Sequence, residues 1–233
     1  MENDTTHNPK ETPFLQTLLE IASIWIISDV GYYLFLPALG FGGGYTANPI
    51  QITIYYFLWL ILTVFSFWEI YKKWDMVENR WPTYLLSVIV SLIIVCYLVY
   101  VFPLFPPITW AKTWKPASEL LYATPWYFLP KSIDILLQQL LVTAMVLAFS
   151  FQKFSLRTTS IWCAILFGGA HLLLVFGGGG MVYMITFTLS AVIASFIFPY
   201  LILRVKNGFL YSYFLHWLFY AVAIILTRLL FKI

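Results

Sequence analysis

The sequence predicts an all-α fold, a polytopic membrane bundle of about seven transmembrane helices, and three observations lead to it. The 233 residues are 61% hydrophobic and 10% charged, whereas soluble domains carry about 25% charged residues. Apolar runs of about 20 residues, the length that crosses a bilayer as a helix, recur along the chain. Together these runs occupy most of the sequence, which leaves no room for a separate soluble domain.

The predicted spans begin after a polar tail of residues 1–13. They cover residues 14–36, 50–71, 82–101, 133–151, 160–176, 181–203 and 209–230. The tail lacks the basic region and the cleavage site of a secretory signal, so we expect the first span to be retained. Residues 14–233 are therefore interpreted as a single transmembrane domain.

The distribution of basic residues predicts the orientation. With seven spans, eight of the 13 lysines and arginines fall on the side of the N-terminus and five on the other. The positive-inside rule then places the N-terminus and the polar tail in the cytoplasm. We expect an integral protein of a bacterial or archaeal cytoplasmic membrane, with the lipid bilayer as its surroundings. The sequence has no basic stripe with interleaved exposed aromatic residues, the pattern that would indicate nucleic-acid binding.

The first predicted span carries an acidic residue, Asp29. It lies about 15 residues into the helix, or roughly 22 Å at 1.5 Å per residue. A carboxylate at that depth requires a partner in the protein or a water-filled cavity. Two interpretations remain open, a structural carboxyl group tied to another helix and a site residue.

The fourth predicted span begins with a cluster of polar side chains. Asp134 and Gln138 are four residues apart and share one helix face, and Gln139 lies on the next. Two adjacent glutamines in an apolar helix are costly unless they hydrogen-bond to a neighbouring helix. The cluster is consistent with an interhelical amide clamp or with a functional site.

Two histidines fall inside predicted spans, His171 in the fifth and His216 in the seventh. An ionisable residue within a transmembrane segment is a functional-site candidate by default. Ser212, His216 and Tyr220 follow one another at four-residue steps, and this polar stripe must face protein or water. The estimated depths of Gln138, His171 and His216 allow one shared cavity within the membrane.

These motifs, in this order, resemble those of the CPBP family of intramembrane proteases, which includes the CAAX prenyl endopeptidases. The resemblance covers residues from about 132 to 233. Family members carry Glu-Glu-x-x-x-Arg, Phe-x-x-x-His and His-x-x-x-Asn or Asp. Phe167 and His171 match the second motif, and His216 matches the third, with Tyr220 in its last position. The first motif departs from the pattern, because Gln138 and Gln139 replace the glutamates and Thr143 replaces the arginine.

The resemblance implies a protease centre in which a glutamate and histidines activate water while the later histidine polarises the peptide carbonyl. A general base needs a titratable group, which glutamine lacks. We therefore predict a catalytically impaired pseudoprotease with a binding, scaffolding or regulatory role. Its expected partners are another membrane protein or a prenylated or transmembrane peptide, and no cofactor is expected.

Two alternatives remain open at this stage. Asp134 or Asp29 would supply the missing carboxylate of an active endopeptidase, with Tyr220 donating to a developing oxyanion. Otherwise His171 and His216 would hold a haem b as two axial ligands. A catalytic zinc usually has three protein ligands, so two histidines and a distant carboxylate predict no metal site.

Overall fold

The computed structural model describes residues 14–42, 44–74, 80–105, 119–175 and 181–231. The predicted polar tail 1–13 and the last residue of the fifth predicted span, Phe176, lie outside these ranges. Every regular element within them is helical, and no strand occurs there. The predicted all-α class is confirmed.

The helices follow the chain with few long connections between them. They are α1 (Phe14–Val30), α2 (Leu36–Ala38), α3 (Gly44–Ala47), α4 (Pro49–Ser66), α5 (Trp68–Lys72), α6 (Arg80–Cys96), α7 (Glu119–Tyr122), α8 (Phe128–Phe151), α9 (Leu156–Cys163), α10 (Met181–Arg204) and α11 (Gly208–Phe231). A π-helical segment, Gly31–Phe35, joins α1 to α2 without a break. Pro49 occupies the first turn of α4, where its missing N–H has no helical partner to lose.

Six helical segments in the described ranges are long and apolar enough to cross a bilayer. They are Phe14–Ala38, Pro49–Ser66, Trp81–Leu104, Pro125–Phe151, Tyr183–Arg204 and Gly208–Leu230. The fifth predicted span is not among these six segments. Its apolar helix, Leu156–Gly168, is shorter than they are. A wider π-helical turn forms at Ala164–Gly168 and a tighter 3-10 turn at His171–Val175, and the glycines between them favour helix poorly. The six long segments of the described ranges agree with the predicted polytopic bundle of about seven helices, and the shorter fifth segment accounts for the difference.

Helix α8 is the centre of the bundle. In an 18-residue apolar stretch of the segment Pro125–Phe151, 72% of the residues are buried inside the protein, against 11% to 33% in such stretches of the other five long segments. α8 packs against α1, α4, α9, α10 and α11. The outer helices instead expose large apolar side chains that suit a lipid environment. The polar residues of α8 therefore lie where protein, and not lipid, surrounds them.

The segment before His171 approaches α10 closely through a glycine. A Cβ added at the buried Gly168 would lie 2.7 Å from Val192 Cγ2 and 3.4 Å from the Val192 backbone. The neighbouring Gly169 has no other atom within 4 Å of such a Cβ. Only the first of the two glycines is therefore required by packing.

Replacing Gly168 with alanine is expected to lower the free energy of unfolding by about 1–3 kcal/mol, the usual cost of overpacking. Val192 is β-branched and has little rotamer freedom with which to move aside. The matched variant Gly169→Ala should be neutral or slightly stabilising, because alanine favours helix more than glycine does. Thermal unfolding of both variants in detergent micelles measures this, and equal losses would contradict the close approach of α10.

Candidate functional site

The site is organised around a buried ion pair in the first turns of α8. Lys131 Nζ lies 2.8 Å from Asp134 Oδ2, and the two side chains are only 8% and 5% exposed. A spacing of three residues places both groups on one helix face. Removing two charges from water is costly unless each charge is paired and hydrogen-bonded, so their surroundings must supply further partners.

Asp134 accepts two more hydrogen bonds, one from the same helix and one from a distant segment. Gln138 Nε2 donates to Oδ1 at 2.9 Å, and Tyr45 Oη donates to Oδ2 at 2.9 Å. The Tyr45 and Tyr56 hydroxyl groups lie 3.1 Å apart. Burial and the nearby Asp134 carboxylate hold the pKa of Tyr45 well above its ordinary value, so this phenol stays a neutral donor.

Lys131 is also in contact with aromatic rings. Its ammonium group lies 4.1 Å from the centre of the Tyr220 ring and 4.9 Å from that of the Tyr45 ring. A cation at these distances is attracted to the negative face of an aromatic ring. The last position of the third motif, Tyr220, is thus joined to α8 through Lys131.

The second glutamine of α8 contacts the histidine of α11. Gln139 Nε2 and His216 Nδ1 are 3.1 Å apart, and the two residues are buried. If the amide N–H donates, Nδ1 accepts, and the proton of the neutral imidazole is on Nε2. Gln139 Oε1 is buried and has no hydrogen-bond partner among the described residues.

His171 is held by its own helical turn. Its Nδ1 lies 2.8 Å from the Phe167 carbonyl oxygen. A carbonyl can only accept, so Nδ1 carries the proton and Nε2 of the neutral ring is free to accept. The Phe167 ring packs against both histidines, with ring centres 4.9 Å from His171 and 6.1 Å from His216.

Most of the predicted site residues line one cavity of about 750 Å³. Its lining includes Asp29, Asp134, Gln138, His171 and Tyr220. Gln139 does not line it, and His216 lines an adjoining cavity of about 270 Å³ between α10 and α11. The predicted residues thus gather in one region of the bundle, with the Gln139–His216 contact beside the cavity.

Sequence reasoning missed three residues that complete the cavity, Lys131, Tyr45 and Glu119. Lys131 lies two residues before the predicted fourth span, which begins at residue 133, whereas α8 already begins at Phe128. The glycine-rich segment before Tyr45 does indicate a close approach. Gly44 has a φ of +77°, and its missing Cβ leaves room for the Glu119 carboxylate. Glu119 follows a proline-rich connection that gives no indication of its position.

Glu119 adds a second acidic group to the polar end of the cavity. Tyr32 donates a hydrogen bond to its carboxylate at 2.8 Å. Loss of hydration raises the pKa of Glu119, whereas the Tyr32 hydrogen bond and the charge of Lys131 act in the opposite direction. The cavity therefore contains three carboxyl groups, those of Asp29, Glu119 and Asp134, around one ammonium group.

The described residues contain no group of three or more histidine, cysteine, aspartate or glutamate side chains placed to hold a metal ion. No family model, curated protein or solved structure matches this chain. The resemblance to CPBP proteases therefore stays a prediction based on the residues of the three motifs. The haem alternative with His171 and His216 also stays a prediction.

Proposed function

We propose that this integral membrane protein binds a ligand or partner in its central cavity and does not hydrolyse it. In this proposal the chain is a degenerate relative of the CPBP proteases with a binding, scaffolding or regulatory role. One observation carries the proposal. Asp134, the carboxylate beside the degenerate first motif, accepts hydrogen bonds of 2.8 to 2.9 Å from Lys131, Tyr45 and Gln138.

A carboxylate with three donors is a poor general base. Three donors already occupy its two oxygens, so a water molecule placed for attack would have to displace one of them. The amides of Gln138 and Gln139 have no proton-accepting group of suitable basicity. The polar contacts in this region therefore hold the side chains in place and do not support proton transfer.

An active intramembrane protease is the second candidate, and one observation favours it. Asp29 and His171 line the same cavity, and no described residue donates a hydrogen bond to Asp29. In that case Asp29 would activate water and Tyr220 would donate to the oxyanion. This candidate requires that Asp29, and not Asp134, be the essential carboxylate.

The proposal includes an orientation with the N-terminus in the cytoplasm of a bacterium or archaeon. The excess of lysine and arginine on that side supports it. It requires that the irregular segment Leu156–Gly168 and the turn after it together cross the membrane. The proposed partners are a membrane protein or a prenylated or transmembrane peptide.

Purified full-length protein in liposomes is expected to cleave neither a prenylated CAAX-type peptide nor a transmembrane peptide above a protein-free control. Mass spectrometry of the peptides after incubation measures this directly. Cleavage that is abolished in Asp29→Asn and retained in Glu20→Gln, a carboxylate change on the same helix outside the cavity, would establish the protease instead. The non-hydrolytic proposal would then be wrong.

A further inference from the structure

We propose that the central cavity binds a single-chain amphipathic lipid whose head group is a protonated primary amine. The inference rests on the proposed binding function and names the ligand class of the same site. It follows from the shape of the cavity, from its charge and from the kind of polar atoms left without partners.

The cavity is elongated and is apolar at one end. Leu15 and Asp29 both line it, and 14 residues of helix separate them by about 21 Å. Leu18, Leu19 and Ala22 surround the apolar end, whereas Asp29, Glu119 and Asp134 surround the polar end. A volume of about 750 Å³ lies within the usual range of roughly 300–1,000 Å³ for small-molecule sites. This division suits a molecule with an alkyl chain and a small polar head.

The cavity opens along the flank of α1. Its lining residues Leu15, Leu19 and Val30 are exposed by 66%, 59% and 48%, and Leu166 on the opposite wall is exposed by 41%. Exposed apolar side chains at a transmembrane helix face lipid in the bilayer. A membrane lipid can therefore enter sideways between α1 and the Ala164–Gly168 turn, with no passage through water.

The charge of the polar end selects the head group. Lys131 and Asp134 neutralise each other across 2.8 Å, which leaves the carboxyl groups of Asp29 and Glu119. No second lysine or arginine lines the described part of the cavity. A buried carboxylate is stabilised by a nearby cation, so this end favours an ammonium group and disfavours a phosphate or a carboxylate.

Several hydrogen-bond acceptors at the polar end lack a donor among the described residues. Gln138 Oε1 is buried without a partner among the described residues, and no described residue donates to Asp29. Nε2 of neutral His171 accepts for the reason given above. Leaving a buried acceptor without a donor is unfavourable, so a ligand that supplies donors gains affinity there. A primary ammonium group supplies three N–H donors, whereas an alcohol supplies one.

Saturation binding of radiolabelled hexadecylamine to the full-length protein in phosphatidylcholine nanodiscs tests the proposal. Unlabelled hexadecanol and palmitate have the same chain length and serve as competitors. Hexadecylamine is expected to bind at least tenfold more tightly than either. Displacement of the amine by hexadecanol or palmitate at equal concentration would overturn the ligand class.

Variants of the two acidic residues locate the head group. Asp29→Asn and Glu119→Gln should each weaken amine binding about tenfold, the effect of losing one hydrogen bond to a charged group. Asp29→Glu keeps the charge and should retain binding, and Glu20→Gln should leave it unchanged. Size-exclusion profiles check that each variant folds. Unchanged amine affinity in folded Asp29→Asn and Glu119→Gln would place the amine elsewhere and overturn the proposal.

Different results would contradict the non-hydrolytic function and the amine ligand class. Peptide cleavage by the wild-type protein would overturn the non-hydrolytic function and would leave selective amine binding measurable. Loss of selectivity for the amine, in a protein that cleaves no peptide, would overturn the ligand class alone.

Discussion

Replacing Asp134 with asparagine is expected to lower the free energy of unfolding by about 3–5 kcal/mol, the usual cost of removing one partner of a buried ion pair. The variant keeps the size of the side chain and leaves the Lys131 charge almost fully buried without its counterion. Tyr45 would also lose its ionised acceptor. Thermal or denaturant unfolding of the purified protein in detergent micelles measures the loss.

The chain contains a matched control for this prediction. Glu69 and Lys72 form an ion pair with the same 2.8 Å distance and the same three-residue spacing, but their side chains are 76% and 50% exposed. Glu69→Gln should therefore change stability by about 0–1 kcal/mol. The double variant Lys131→Met with Asp134→Leu should recover most of the loss, since apolar replacements of buried pairs are often neutral or stabilising. A small effect of Asp134→Asn, equal to that of Glu69→Gln, would contradict burial of the pair.

Replacing Gln139 with glutamate is expected to create peptidase activity that we do not expect of the wild-type protein. A carboxylate at this position can only accept, so His216 Nδ1 would carry the ring proton toward it at the present distance of 3.1 Å. Nε2 of His216, which lines the adjoining cavity, would then be the general base. General-base assistance typically contributes about 10²–10⁴ in rate. We expect cleavage of a prenylated peptide to rise at least about 100-fold over background, as measured by mass spectrometry of the products.

The control for this gain is a glutamate placed outside the site. Gln152 is exposed just beyond the end of α8, so Gln152→Glu changes the net charge equally and should create no activity. Gln139→Leu removes the amide without adding a base and should also be inactive. If Gln139→Glu folds and remains as inactive as these two variants, the interpretation of the first motif as a degenerate catalytic pair is wrong.

The polar residues of α8 were accessible to sequence reasoning because of a strong physical constraint. Asp134, Gln138 and Gln139 interrupt an apolar helix, and such groups must face protein or water in a membrane. The same argument applies to His216 and Tyr220 on α11. Polarity within an apolar run therefore predicted which side chains lie inside the bundle, although it did not predict their partners.

The partners were missed because they are distant in sequence or lie at an uncertain boundary. Tyr45 and Asp134 are 89 residues apart, and Tyr32 and Glu119 are 87 apart. No local pattern reports such contacts. Lys131 was missed because the predicted span began at residue 133, whereas α8 begins at Phe128. This boundary error of five residues left Lys131 outside the predicted span, although it carries the charge at the centre of the site.

The position of α8 in the chain has a consequence for biosynthesis. Tyr45 precedes Asp134 by 89 residues, so the ribosome has already delivered it when α8 reaches the membrane. His216 follows Gln139 by 77 residues and is synthesised later, with α11. When α8 enters the membrane, the phenol partner of its carboxylate is therefore already present, whereas the imidazole partner of its amide is not. We therefore expect the polar contacts of Asp134 to form before the contact between Gln139 and His216.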